Sequence, residues 1–72
     1  MLILKNYSEK AIALFGKETK EIKEDLKKLR GRFNWGLKGP DGTKTAGWIF
    51  SKKRTDDIIE LLETNDLEFE EC

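Results

Sequence analysis

Few residues in this chain could take part in breaking a covalent bond. Ser8, Ser51 and the single cysteine, Cys72, are the candidate nucleophiles, and there is no histidine to activate them. Imidazole is the commonest general base near neutral pH, so its absence leaves no convincing nucleophile–base pair. The adjacent carboxylates Asp56 and Asp57 invite a metal or general-base reading. Neighbouring helix positions point about 100° apart, which suits joint coordination poorly, and no third ligand sits at a useful spacing. Charge at a helix start explains the pair better. The expectation is a non-catalytic protein without metal or cofactor.

What the residue types do offer is ionic and aromatic binding. The 72 residues carry 14 Lys and Arg against 14 Asp and Glu, and this formal charge of zero hides a segregation. Residues 1–26 balance. Residues 27–54 hold Lys27, Lys28, Arg30, Arg32, Lys38, Lys44, Lys52, Lys53 and Arg54 against Asp41 alone, a net +8, whereas residues 55–72 hold eight acids and no base. A positive block of this kind suits a polyanion, unless the fold brings the two blocks together and cancels them. Two aromatic pairs, Phe33/Trp35 and Trp48/Phe50, lie within the basic stretch. Such rings stack on unpaired bases, at roughly 1–3 kcal/mol per base. Equally, a small domain needs aromatics inside as a wall for its helices. Trp35, nearest the turn, is the one expected outside the core.

The elements that must position these residues follow from periodicity. Leu2 and Leu4, then Ile12 and Leu14, alternate on either side of a polar break and read as two short strands or one strand with a lead-in. Thr19 is the expected cap of a helix in which Ile22, Leu26 and Leu29 form one apolar stripe, ending at Gly31. On its solvent side Lys20 pairs with Glu24 at i,i+4, which accounts for the lysines there without a function. Arg32 to Lys38 alternates, with Phe33, Trp35 and Leu37 on one face. Gly39-Pro40-Asp41-Gly42 is a turn signal, and the strand after it carries Ala46, Trp48 and Phe50 on one face. Thr55 is the expected cap of a second helix with Ile58, Ile59, Leu61 and Leu62 inward. The end, residues 67–72, reads as an acidic edge strand or a frayed tail.

The expected fold is thus α+β, in the order β(β)αββα(β), with an antiparallel sheet packed by two helices in one domain over residues 1–66. A chain this short buries only about 60% of the surface it exposes when unfolded, so its large apolar residues are first of all structural. No apolar run approaches the roughly 20 residues that span a bilayer, and the N-terminus lacks an extended apolar signal core. With one cysteine there is no internal disulfide, and an intracellular location, cytoplasmic or nuclear, is expected.

The run Tyr7-Ser8-Glu9-Lys10-Ala11-Ile12, the segment Lys27-Lys28-Leu29-Arg30-Gly31-Arg32-Phe33-Asn34, then Leu37-Lys38-Gly39 and Gly47-Trp48-Ile49-Phe50, resemble a small, poorly characterised module of large DNA viruses and mobile elements. Its pattern is Gly-Gly-[Arg/Lys]-[Phe/Trp]-Asn, Leu-Lys-Gly and Gly-Trp-Ile-Phe. The resemblance implies an association with DNA-handling systems and carries no reaction. Arg30 stands in place of the first glycine of the pair, and Trp35 where a proline or polar turn residue is expected.

The leading expectation is a nucleic-acid-associated module that contacts a DNA or RNA backbone without sequence specificity. Trp35 would stack, and Arg30, Arg32, Lys38, Lys44, Lys52 and Lys53 would meet phosphates. The alternative is a protein-interaction module or small inhibitor, docking through a sheet edge or through Asp56, Glu60 and Glu63 of the second helix. Oligomeric state is left open.

Overall fold

The computed structural model describes residues 2–71. Cys72, on which the redox expectation rests, lies outside the described residues. The elements are β1 (Leu2–Asn6), β2 (Ala11–Phe15), a 3-10 helix (Lys17–Ile22) continuing into α1 (Lys23–Lys28), β3 (Arg32–Lys38), β4 (Lys44–Ser51), a short 3-10 turn (Lys52–Arg54), α2 (Thr55–Thr64) and β5 (Phe69–Glu71). This is the expected α+β order. The C-terminal segment is a strand, lying parallel to β1, while the other pairings in the five-stranded sheet β3-β4-β2-β1-β5 are antiparallel.

Both helices lie on one face of the sheet. Alternation along the strands sends Leu2, Leu4, Ile12, Leu14, Trp48 and Phe50 to that face, where they pack with Ile22 and Leu26 from the first helical segment and Ile58 and Leu62 from α2. The opposite face carries a smaller cluster of Ala13, Phe15 and Leu37, with Ile3 and Ile49 against it. No helix covers that cluster among the described residues; the sheet curls over it. Tyr7 Oη accepts a hydrogen bond from the Lys38 backbone N–H at 3.3 Å, and Lys5 Nζ donates to the Gly39 carbonyl at 3.4 Å. These bonds tie the β3 end of the hairpin tip to the end of β1, with β4 and β2 lying between them in the sheet. Gly47 lets the Phe15 ring pack onto the strand: a side chain there would land 2.7 Å from it.

Four local expectations need correction. Leu37 does not share a face with Phe33 and Trp35. β3 pairs Asn34 with Gly47 but Leu37 with Thr45, so β3 spends one more residue than β4 and a bulge falls at Trp35-Gly36. The extra residue moves Leu37 to the far face. Its freed Gly36 N–H donates to Asn34 Oδ1 at 2.9 Å, which closes the bulge locally.

Neither threonine caps a helix. Thr19 is buried inside the 3-10 helix and its hydroxyl donates to the Gly16 carbonyl at 2.8 Å. Thr55 is the first residue of α2 and donates to the Lys52 carbonyl at 2.7 Å. Each hydroxyl reaches back to a carbonyl three residues earlier, serving as donor where a cap would accept. The helix end at Gly31 also differs. Arg30, with φ 65°, is the left-handed residue, and its N–H donates to the Lys27 carbonyl while Gly31 N–H donates to that of Leu26. That is a Schellman closure with arginine in the usual glycine position. Gly31 is needed one residue later because a side chain there would collide with the Phe50 ring.

Candidate nucleic-acid interface

The first helical segment is built on a triplet. Lys17-Glu18-Thr19, Lys20-Glu21-Ile22 and Lys23-Glu24 repeat a Lys-Glu pattern every three residues. A 3-10 helix has three residues per turn, so positions i and i+3 eclipse and each residue type forms its own column. Thr19 and Ile22 make the buried column, and Leu26 continues it four residues on, where the helix has become α. The lysines change spacing at the same place. Lys17, Lys20 and Lys23 run at intervals of three and Lys27 follows at four, so one cationic column persists across the change of helix type.

That column faces an aromatic wall. Lys17, Lys20, Lys23 and Lys27 line a groove of about 600 Å³ whose other side is Phe33, Trp35, Ala46 and Trp48 from the β3–β4 hairpin. The three rings climb from core to solvent. Trp48 is 5% exposed, Phe33 44% and Trp35 80%. Phe33 meets Trp48 edge-on with centroids 5.5 Å apart and Trp35 edge-on at 5.0 Å. These are favourable quadrupole geometries that hold the outer ring against the inner ones. The bulge at Trp35-Gly36 turns the indole out of the sheet, so the expected exposure of Trp35 has a definite backbone cause.

Cancellation by the acidic block is slight. The ion pair present is local, Arg54 to Asp57 at 3.5 Å and partly solvated on both sides. Within the first helical segment the neighbouring Glu18 carboxylate is attracted by Lys17, and none of the acids of residues 55–71 is ion-paired with Lys17, Lys20, Lys23 or Lys27 among the described residues. The expected Lys20–Glu24 pairing is not made. In a 3-10 helix the glutamates occupy a column of their own.

The residues singled out from sequence are distributed as follows. Trp35 stands in the groove wall. Lys38 and Lys44 are paired across the outer end of the hairpin, and strand alternation puts them on the face of Trp48, beyond the groove's Lys17 end. Arg32 pairs with Ile49, which packs against the cluster on the opposite face. Arg30, Lys52 and Lys53 lie at the other end of the hairpin, some 20 Å from Lys38 at about 3.3 Å per strand residue. The six cations thus do not form one surface. Sequence reading missed Lys17, Lys20, Lys23 and Lys27 as a set, because a helix period of 3.6 was applied to a stretch whose own repeat is three. Asp56, Glu60 and Glu63 are exposed on α2, with Glu60 beside a shallow cleft shared with Asp25 and Lys28.

No three or more carboxylates or cysteines cluster as a metal site among the described residues, and no helix there is long and apolar enough to cross a membrane. Comparison with protein-family models, curated proteins and solved structures yields no match.

Proposed function

We propose that this domain is a non-catalytic nucleic-acid-binding module whose contact surface is the groove between the first helical segment and the β3–β4 hairpin. The observation that carries the reading is the lysine column facing exposed aromatic rings across one groove. A polyanion gains there by releasing counterions, and an apolar wall beside the cations favours an anion that also carries flat rings. A simple acidic peptide would satisfy the lysines and leave the indole unused. The resemblance to a module of DNA-handling systems points the same way.

The test is fluorescence anisotropy with labelled oligonucleotides over a salt series. Binding falls steeply with salt, and the double variant Lys20→Glu/Lys23→Glu loses it by more than about tenfold, because two attractive charges become repulsive. The triple variant Asp56→Lys/Glu60→Lys/Glu63→Lys binds at least as tightly as the native chain. Absence of binding at low salt overturns the reading, and a protein partner lost in that triple variant would put the acidic helix in its place.

A further inference from the structure

On the footing of that reading, we infer that the groove is a track for a single unpaired strand, its phosphates seated on Lys17, Lys20, Lys23 and Lys27 and its bases turned onto Trp35 and Phe33. Three features lead to this ligand class. The first is the column's spacing. Eclipsed positions in a 3-10 helix are separated by three rises of about 2.0 Å, roughly 6 Å, and Lys23 to Lys27 spans about one α-turn of 5.4 Å. The cations therefore recur at the scale of successive phosphates along an extended strand. Stacking like charges at this separation is unfavourable in the free protein, and a polyanion laid along them removes the repulsion.

The second feature is the wall opposite. An indole 80% exposed on a bulged edge strand offers a ring face to solvent. In a duplex the base faces are already covered by their neighbours, so only unpaired bases can use it. The third is size. A groove of about 600 Å³ is of small-ligand dimensions, whereas a duplex presents a major groove alone about 12 Å wide. α1 is only six residues long, and its Lys23 and Lys27 side is turned toward the hairpin wall.

The inference is tested with oligo-dT, oligo-rU and a duplex of equal length, read by affinity and by intrinsic tryptophan fluorescence. Single strands bind at least about tenfold tighter than duplex and quench the exposed indole. Four phosphates give a slope of log K against log salt near −3, at about −0.7 per phosphate for a single strand. Trp35→Ala abolishes the quench and weakens single-strand binding by roughly 5- to 150-fold while duplex binding is unchanged; Trp35→Phe restores most of the affinity. The dT and rU strands bind within about tenfold of each other, since phosphates and base faces do not report the sugar. Equal affinity for duplex and single strand, with Trp35→Ala affecting both alike, overturns the track and leaves the nucleic-acid reading standing. Absence of all binding removes both.

Discussion

The helix-bearing face of the sheet has two halves that were built differently. Over β1 and β2, α2 closes the surface: Ile58, Leu62, Leu2 and Leu4 are all at most 2% exposed. Over β4 and β3, the first helical segment stops at Trp48 and leaves Phe33 and Trp35 outside. The polar faces differ in the same sense. α2 carries carboxylates and the neighbouring strand β5 is acidic, whereas the helical segment beside the open half presents its lysines toward the exposed rings. One half spends its apolar residues on stability. The other keeps aromatic surface in contact with water beside a row of lysines, an arrangement that costs stability and is informative for that reason.

Truncation separates the halves most strongly. Leu62→Ala removes a fully buried side chain from the closed half and lowers stability by about 2–5 kcal/mol. Trp35→Ala removes a much larger side chain, yet it loses only a solvent-exposed ring and one edge-on aromatic contact, and costs under about 1 kcal/mol. Urea unfolding followed by circular dichroism reads both. Comparable losses would mean that Trp35 belongs to the core in solution and that the open half is closed.

The helix ends sharpen the comparison at a smaller scale. Both close with the same pair of backbone bonds, around Arg30 for α1 and Asp66 for α2, and both hold their left-handed residue at positive φ. Aspartate tolerates that conformation better than arginine does. Arg30→Gly is therefore expected to gain about 1 kcal/mol, a rise of roughly 4–8 °C in Tm for a domain this size. Asp66→Gly gains less than half of that. Equal gains would remove the distinction between a strained cation on the open side and an accommodated acid on the closed side.

These same residues show how far the sequence could be read. Period-two alternation marks β2 to β4 and leaves β1 open between a strand and a lead-in, and the Pro-Asp-Gly turn joins the hairpin, because those signals are local. The bulge is not local: whether Trp35-Gly36 opposes one residue or two depends on how β4 pairs, so alternation alone puts Leu37 on the wrong face. The lysine column is present in the sequence as a three-residue repeat, which α-helical spacing, the default for an amphipathic stretch, does not reveal. The segregation of charge was plain from composition. That three of the four groove lysines, Lys17, Lys20 and Lys23, lie upstream of the basic block follows only once the first helical segment is placed opposite the hairpin.

The smallest effect concerns the single acid of the basic block. At the tip of the open hairpin, Asp41 accepts hydrogen bonds from the Thr43 hydroxyl at 2.7 Å and the Thr43 backbone N–H at 3.1 Å. These bonds favour the ionised form and hold the carboxyl below its ordinary range, with a lesser attraction from Lys5. A depressed folded-state value means that the stabilisation is complete above the unfolded-state range of an aspartate and is lost as pH falls through the folded-state value. Asp41→Asn should therefore destabilise slightly at neutral pH, with the difference from the native chain shrinking on acidification. Because the turn is fully solvated, the effect stays far below that of Leu62→Ala, and a difference that persists unchanged into acid would assign it to turn geometry, with the carboxylate's charge playing no part.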